Sequence, residues 1–281
     1  MITTDDQPTT GLEARGLVRD YTLRSGLRRS TLHAVADVSF TIRPGRTIAL
    51  VGESGSGKST VARIIARLET ATGGGVYLDG QPAPTRGSAL SRYRSHVQMV
   101  FQDPFASLNP FHTILHHIER PLRIHHPKLS DKQIEDRAYE LLERVQLTPA
   151  SHYAERRPHE LSGGQRQRVA IARALAPGAT YIVADEPVSM LDVSIRLGVL
   201  NLLADLQRAE GLGVLYITHD LATARHFSDE ILVMNRGRIV ERGASDSVIL
   251  DPQHEYTKTL LDAAADPERH GQLREEVRSG G

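Results

Sequence analysis

Residues 47–60 read Thr-Ile-Ala-Leu-Val-Gly-Glu-Ser-Gly-Ser-Gly-Lys-Ser-Thr, a short apolar run that ends at Gly52 and gives way to a glycine-rich stretch. From Lys58 to Leu68 the apolar residues recur at helical spacing. Strand, glycine-rich loop and helix in this order are what a phosphate-binding loop requires, and residues 52–60 fit G-x-x-x-x-G-K-[ST] in full. The ligand explains the residue types. Backbone N–H groups surround a triphosphate only where side chains leave room. That calls for Gly52, Gly55 and Gly57, with Glu53, Ser54, Ser56 and Thr60 in the same wrap. The helix that follows aims the positive end of its dipole, roughly half a charge, at the same place. Lys58 adds a full charge at the outer phosphates, and the Ser59 hydroxyl is a hard oxygen ligand for a bridging Mg²⁺.

A second apolar run, Tyr181-Ile-Val-Ala, delivers two carboxylates at its end, Asp185 and Glu186. Neighbouring positions on a strand face opposite ways. On that geometry Asp185 serves Mg²⁺, through water, and Glu186 faces the attacking water as general base. A further glycine-rich segment, Leu161-Ser162-Gly163-Gly164-Gln165, precedes a helix predicted over residues 164–176, with Ser162 placed to cap or to donate. One nucleotide does not need two cradles from one chain. Each cradle is therefore expected to close on the triphosphate held by another copy.

The two glycine-rich segments together resemble the nucleotide-binding domain of ABC transporters, and the other motifs of that family occur in order. Gln102, in Met99-Val-Phe-Gln-Asp-Pro, matches the Q-loop glutamine, and Ser189-Met-Leu-Asp192 matches the D-loop. His219, in Ile217-Thr-His-Asp-Leu221, matches the switch histidine, and Tyr21 stands where the family places an aromatic that stacks on adenine. The resemblance covers about residues 12–262. It implies an α/β fold, a P-loop NTPase (RecA-like) core with an antiparallel β subdomain and a helical subdomain over about residues 103–160. The ABC ATP-binding domain then spans residues 11–262, after a disordered lead at 1–10 and before a polar tail at 263–281. The implied ligands are ATP and Mg²⁺. Ser59, Gln102 and Asp185 serve the metal, and Glu186, His219 and Gln102 serve catalysis. Tyr21, residues 52–60, Ser162, Gly163, Gly164, Gln165 and Asp192 serve the nucleotide. Two such domains pack head to tail around two ATP molecules, each held between residues 52–60 of one and 162–165 of the other. Gln102 reports to the helical insertion, which docks on membrane subunits.

The linking segments narrow the resemblance. Residues 99–110, 183–194 and 251–257, and the long basic loop at 24–30, resemble the peptide and nickel importer group. The wording Ala184-Asp-Glu-Pro-Val-Ser189 resembles the F-type ATPase of oligopeptide and dipeptide importers. That resemblance implies a second ABC ATPase subunit, in a heterodimer or a homodimer, with two transmembrane permease subunits and an extracytoplasmic solute-binding protein. It places the chain at the cytoplasmic face of the membrane, held through the permeases. Met190, Arg196 and Glu255 depart from the usual alanine, glutamine and proline. Many relatives also continue into a cysteine-containing extension. Nickel, metal-chelate and oligosaccharide importers of the same group are the alternatives. An exporter ATPase is a further possibility that soluble character does not exclude. A non-transport ATPase acting on nucleic acid or ribosomes is disfavoured by the lack of tandem cassettes, coiled coils or a basic surplus.

Composition agrees with these exclusions. The 281 residues are 40% hydrophobic and 24% charged with zero formal net charge, so there is no basic surplus of the kind nucleic-acid proteins carry. No cysteine occurs, which rules out disulfides, zinc thiolates and an iron–sulfur cluster within this sequence. No apolar stretch approaches the roughly 18–20 residues that span a bilayer, and the polar, acidic start does not read as a secretory signal. Strands are predicted over residues 35–42, 181–184 and 214–218, helices over 130–145 and 195–209, and a hairpin over 231–240. His112, His116, His117, His125 and His126 fall in the helical insertion and read as solvated or partner-facing rather than as a metal site.

Overall fold

The computed structural model describes residues 10–25 and 28–265. The predicted lead, apart from Thr10, and the predicted tail beyond Ala265 lie outside the described residues. Two sheets form the frame. The first is antiparallel, with β1 (Leu12–Ser25), β2 (Arg28–Ile42), β4 (Gly73–Leu78) and β5 (Gln81–Pro82) in the order β2-β1-β4-β5. The second holds β3 (Thr47–Val51), β6 (Val97–Val100), β7 (Tyr181–Asp185), β8 (Gly213–Thr218), β9 (Glu230–Asn235) and β10 (Arg238–Ala244). Its order is β10-β9-β3-β8-β7-β6, parallel except for β10, which pairs antiparallel with β9. Every residue of β3, β7 and β8 is buried. Continuous apolar runs of this kind suit central parallel strands covered on both faces.

Helix α1 (Lys58–Ile65) follows β3, and α2 (Gly87–His96) leads into β6. The insertion between β6 and β7 is helical, as predicted: α3 (Pro104–Ser107), α4 (Ile114–His125), α5 (Asp131–Arg144) and α6 (Ser151–Ala154). Thr113 caps α4, and Ser130 with Gln133 forms a capping box on α5. Ile114, Ile118 and Leu122 then recur at four-residue spacing and face Ile134, Ala138, Leu141 and Leu142 in one core. That core also contains Ala49 and Val51 of β3, so the insertion is packed into the α/β body. Helix α7 (Gly163–Leu175) carries the chain back to β7. It is followed by α8 (Val193–Glu210), α9 (Leu221–Phe227), α10 (Ser245–Leu250) and α11 (Glu255–Ala265).

Three expectations are corrected. The basic segment 24–30 is not simply a loop, because Arg24 pairs with Arg29 and Ser25 with Arg28 in the β1–β2 ladder. Ladder bonds join backbone groups and are indifferent to side-chain charge, whereas the sequence signal relies on apolar alternation. Helix α1 stops at Ile65 rather than at residue 68, with Arg67 in the left-handed region at φ 56°. Helix α11 crosses the boundary drawn at residue 262 and buries Ala263.

Candidate nucleotide site

The carboxyl ends of four neighbouring strands converge on one edge of the parallel sheet. Val51 pairs with Thr218, Asp185 with Ile217 and Val100 with Ala184. The residues just beyond these positions are Gly52, His219, Glu186 and, one further on, Gln102. Ligands of open α/β sheets bind at this edge.

The phosphate loop folds around Lys58. This lysine is 5% exposed. Its ammonium donates to the carbonyls of Gly52 at 2.7 Å and Glu53 at 2.8 Å and reaches Ser56 Oγ at 3.5 Å. Among the described residues it has no ion pair, and burial lowers its pKa against the more distant pull of Glu186, Asp185 and Glu53. A buried cation with only neutral partners suits an anion brought by a ligand. Two of the glycines are also required by packing. A Cβ on Gly52 would stand 2.2 Å from the Met234 carbonyl oxygen, and one on Gly57 would stand 2.2 Å from that of Ala34. These two glycines let the loop press against β9 and β2, while Gly55, at φ 83°, faces open space.

The carboxylates are brought together with their expected partners. Asp185 is 7% exposed and accepts a hydrogen bond from Ser59 Oγ at 3.1 Å. Burial is the chief cause that raises its pKa, with the nearby Glu186 adding and the Ser59 bond opposing. Glu186 Oε2 accepts from Gln102 Nε2 at 3.0 Å, and Glu186 Oε1 lies 3.3 Å from His219 Nδ1. Gln102 Nε2 also donates to Ser189 Oγ at 3.2 Å, and Ser189 Oγ donates to the Glu186 carbonyl at 3.1 Å. Strand alternation does not separate the two acids, which corrects the sequence reading. β7 ends at Asp185, and Glu186 turns into the left-handed region at φ 45° while its N–H still donates to the Ile217 carbonyl at 2.9 Å. A non-glycine residue there is uncommon and marks a constrained position. Sequence reasoning left Ser189 without a role in the site; its place four residues after Asp185 was the available signal.

The donor set fits Mg²⁺. Ser59 and Asp185 offer two hard oxygens side by side, and this ion takes most of its remaining ligands from phosphate and water. Among the described residues no group of three or more histidines and acids could hold a metal by itself, the five insertion histidines included.

Other predicted residues stand elsewhere. Ser162 is exposed and its Oγ accepts from the Gln165 N–H at 3.3 Å, while Gln165 Oε1 accepts from the Ser162 N–H at 2.9 Å. Gly163 and Gly164 pack against Leu191 and Ile195. Asp192 is the exposed N-cap of α8 and makes no capping bond with its side chain. Among the described residues, no hydrogen bond joins these positions to residues 52–60. Tyr21 pairs with Leu32 on β2, two residues from the Ala34 that packs on Gly57. Its hydroxyl donates to Glu69 Oε1 at 2.5 Å, and the Arg19 guanidinium covers its ring at 4.6 Å.

Comparison with known proteins bears on the whole arrangement. A family model described as ABC transporter matches residues 35–189. The glutathione import ATP-binding protein GsiA of Salmonella choleraesuis is 48% identical over 265 residues, which are 92% of this chain and 42% of that protein. Its counterpart from Escherichia coli O6:H1 is 49% identical over 271 residues, 94% of this chain and 43% of that one. The chain thus spans less than half the length of these relatives. The ATP-binding cassette MJ0796, solved as a dimer in a post-hydrolysis state with ADP and Pi, superposes with a TM-score of 0.73 at 32% identity, over 83% of this chain and 98% of that one. CbiO1 from Clostridium perfringens, part of the ABC transporter complex cbiONQ, shares the fold with a TM-score of 0.74 at 24% identity, over 95% and 99% of the two chains. The family match takes in both glycine-rich loops and both carboxylates, and the chain belongs to the ABC transporter family.

Proposed function

We propose that this chain binds and hydrolyses ATP to energise a membrane importer. The observation that carries the reading is Glu186, held between Gln102 and His219 beside the loop built on Lys58. Residues 52–60 take the triphosphate, with Lys58 exchanging loop carbonyls for phosphate oxygens. Ser59 and Asp185, with Gln102, hold Mg²⁺, which when bound neutralises phosphate charge. Glu186 orients a water and takes its proton as the water oxygen bonds to the γ-phosphorus and the bond to the β-phosphate oxygen breaks. His219 braces that carboxylate and reaches the γ-phosphate. Tyr21 serves the adenine once its ring is turned to it.

Residues 162–165 and Asp192 act on the nucleotide of a second ATPase subunit, like or unlike this one. The dimeric state of the 32%-identical cassette supports this arrangement. ATP then biases a two-state dimer that hydrolysis releases. Two permease subunits and a solute-binding protein complete the proposed assembly at the cytoplasmic face. Among the described residues no helix is long and apolar enough to cross a membrane, so contact through permeases is the fitting mode. For cargo we propose a short peptide, the class to which the glutathione named for the relatives belongs.

The test is Glu186→Gln in the assembled transporter. ATP binding is expected to persist while hydrolysis falls at least ~10²-fold, the usual worth of a general base. Near-normal turnover would remove Glu186 from the chemistry.

A further inference from the structure

The C-terminal helix touches the phosphate loop. Tyr256, in the first turn of α11, accepts the N–H of Glu53 on its hydroxyl oxygen at 3.1 Å. The other side of the same peptide unit, the Gly52 carbonyl, accepts from Lys58 Nζ at 2.7 Å. One peptide of the loop is therefore gripped from two directions. The lysine has to turn away when a triphosphate arrives, whereas the tyrosine does not.

Tyr256 is itself firmly placed. Glu241, on β10, accepts the N–H groups of Gln253 at 2.8 Å and His254 at 3.1 Å, fastening the turn before α11. His254 Nδ1 accepts the N–H of Tyr256 at 3.1 Å. Thr257 is fully buried, and Tyr256, Leu260 and Leu261 pack on the core that holds Ala49 and Val51 of β3. A hydroxyl anchored in this way can fix peptide 52–53 without help from the lysine.

We propose that Tyr256 is a positioning residue of the nucleotide site: it holds peptide 52–53 in place after Lys58 has turned to the phosphates, so that α11 sets the affinity for ATP. The proposal rests on residues 52–60 being the phosphate site, and the experiment separates the two. Tyr256→Phe in the full chain removes one oxygen and keeps the ring. The Kd for a fluorescent ATP analogue with Mg²⁺, and the KM for ATP, are expected to rise about 3- to 10-fold, the scale of one lost hydrogen bond. kcat should stay within about twofold and Tm should not move, because the ring's packing is unchanged. Glu241→Gln, which loosens the turn, should raise Kd in the same direction, and the double variant should fall short of the product of the two effects. Lys58→Ala is the control for the site. If it binds as wild type, the phosphate-loop reading fails. If it loses binding while Tyr256→Phe binds normally, the proposal alone is overturned. It is equally overturned if Tyr256→Phe lowers kcat and Tm together, or if the two C-terminal changes multiply independently.

Discussion

Helices α1 and α7 both begin at glycine-rich loops, yet they finish their N-termini in opposite ways. The N-cap of α1 is Gly57 at φ 106°, with no side-chain cap. The N-cap of α7 is Ser162, locked with Gln165 in a reciprocal capping box. The first turn of a helix carries backbone donors without intrahelical partners. In α1 they stay open around a buried lysine that has no ion pair among the described residues, which suits the anion site proposed for residues 52–60. In α7 two donors are already used, and what remains is the Ser162 hydroxyl proton with the amides of Gly163 and Gly164. That is less than residues 52–60 offer, in keeping with the proposed role of completing a site on another subunit. The glycines follow the same division: Gly55 keeps a loop open, whereas Gly163 and Gly164 let α7 press on Leu191 and Ile195.

The largest break in this comparison is Lys58→Ala. Losing a charge-assisted contact to phosphate is expected to weaken ATP binding by about 100-fold, measured by titration calorimetry. No substitution at Ser162 should do this to the nucleotide of its own chain. A comparable loss at Ser162 would mean that the two loops act on one nucleotide.

A smaller effect is expected when the presented edge is blocked. Ser162→Arg places a long cation where a close approach is needed, and overpacking of that kind costs about 1–3 kcal/mol. ATP-driven dimer formation, followed by light scattering, should weaken about tenfold or more, with ATP binding by the mutant chain unchanged. Normal dimer formation would sink the role in trans.

The chemistry-bearing residues were largely legible because each motif fixes its atoms through a chain-local turn at the end of a strand. Ser59 reaches Asp185, and Gln102 and His219 reach Glu186, so the residues singled out by the motifs and by the family resemblance lie within contact of one another. The turn at Glu186 was not legible, since nothing in a run of apolar residues announces where the backbone leaves the extended region. Helix α2 was missed because Tyr93 is its only buried residue, leaving no apolar stripe to read. The bond from Glu53 to Tyr256 joins residues 203 positions apart and depends on how α11 packs, a tertiary fact with no local signature.

The finest test separates the two duties assigned to Ser162. As a cap it stabilises α7, and Ser162→Ala should cost about 1 kcal/mol, whereas Ser162→Gly should cost only a few tenths, since glycine is itself a tolerable N-cap. For a domain of this size that corresponds to a fall in Tm of about 2–4 °C for alanine and much less for glycine. The hydroxyl proton is lost equally in both. Thermal unfolding should therefore distinguish the two variants, while ATP turnover of the assembled dimer should fall by the same factor in each. If turnover instead followed Tm, with glycine near wild type, the serine would be a cap alone. The contrast between an open loop and a presented one would then reduce to helix stability.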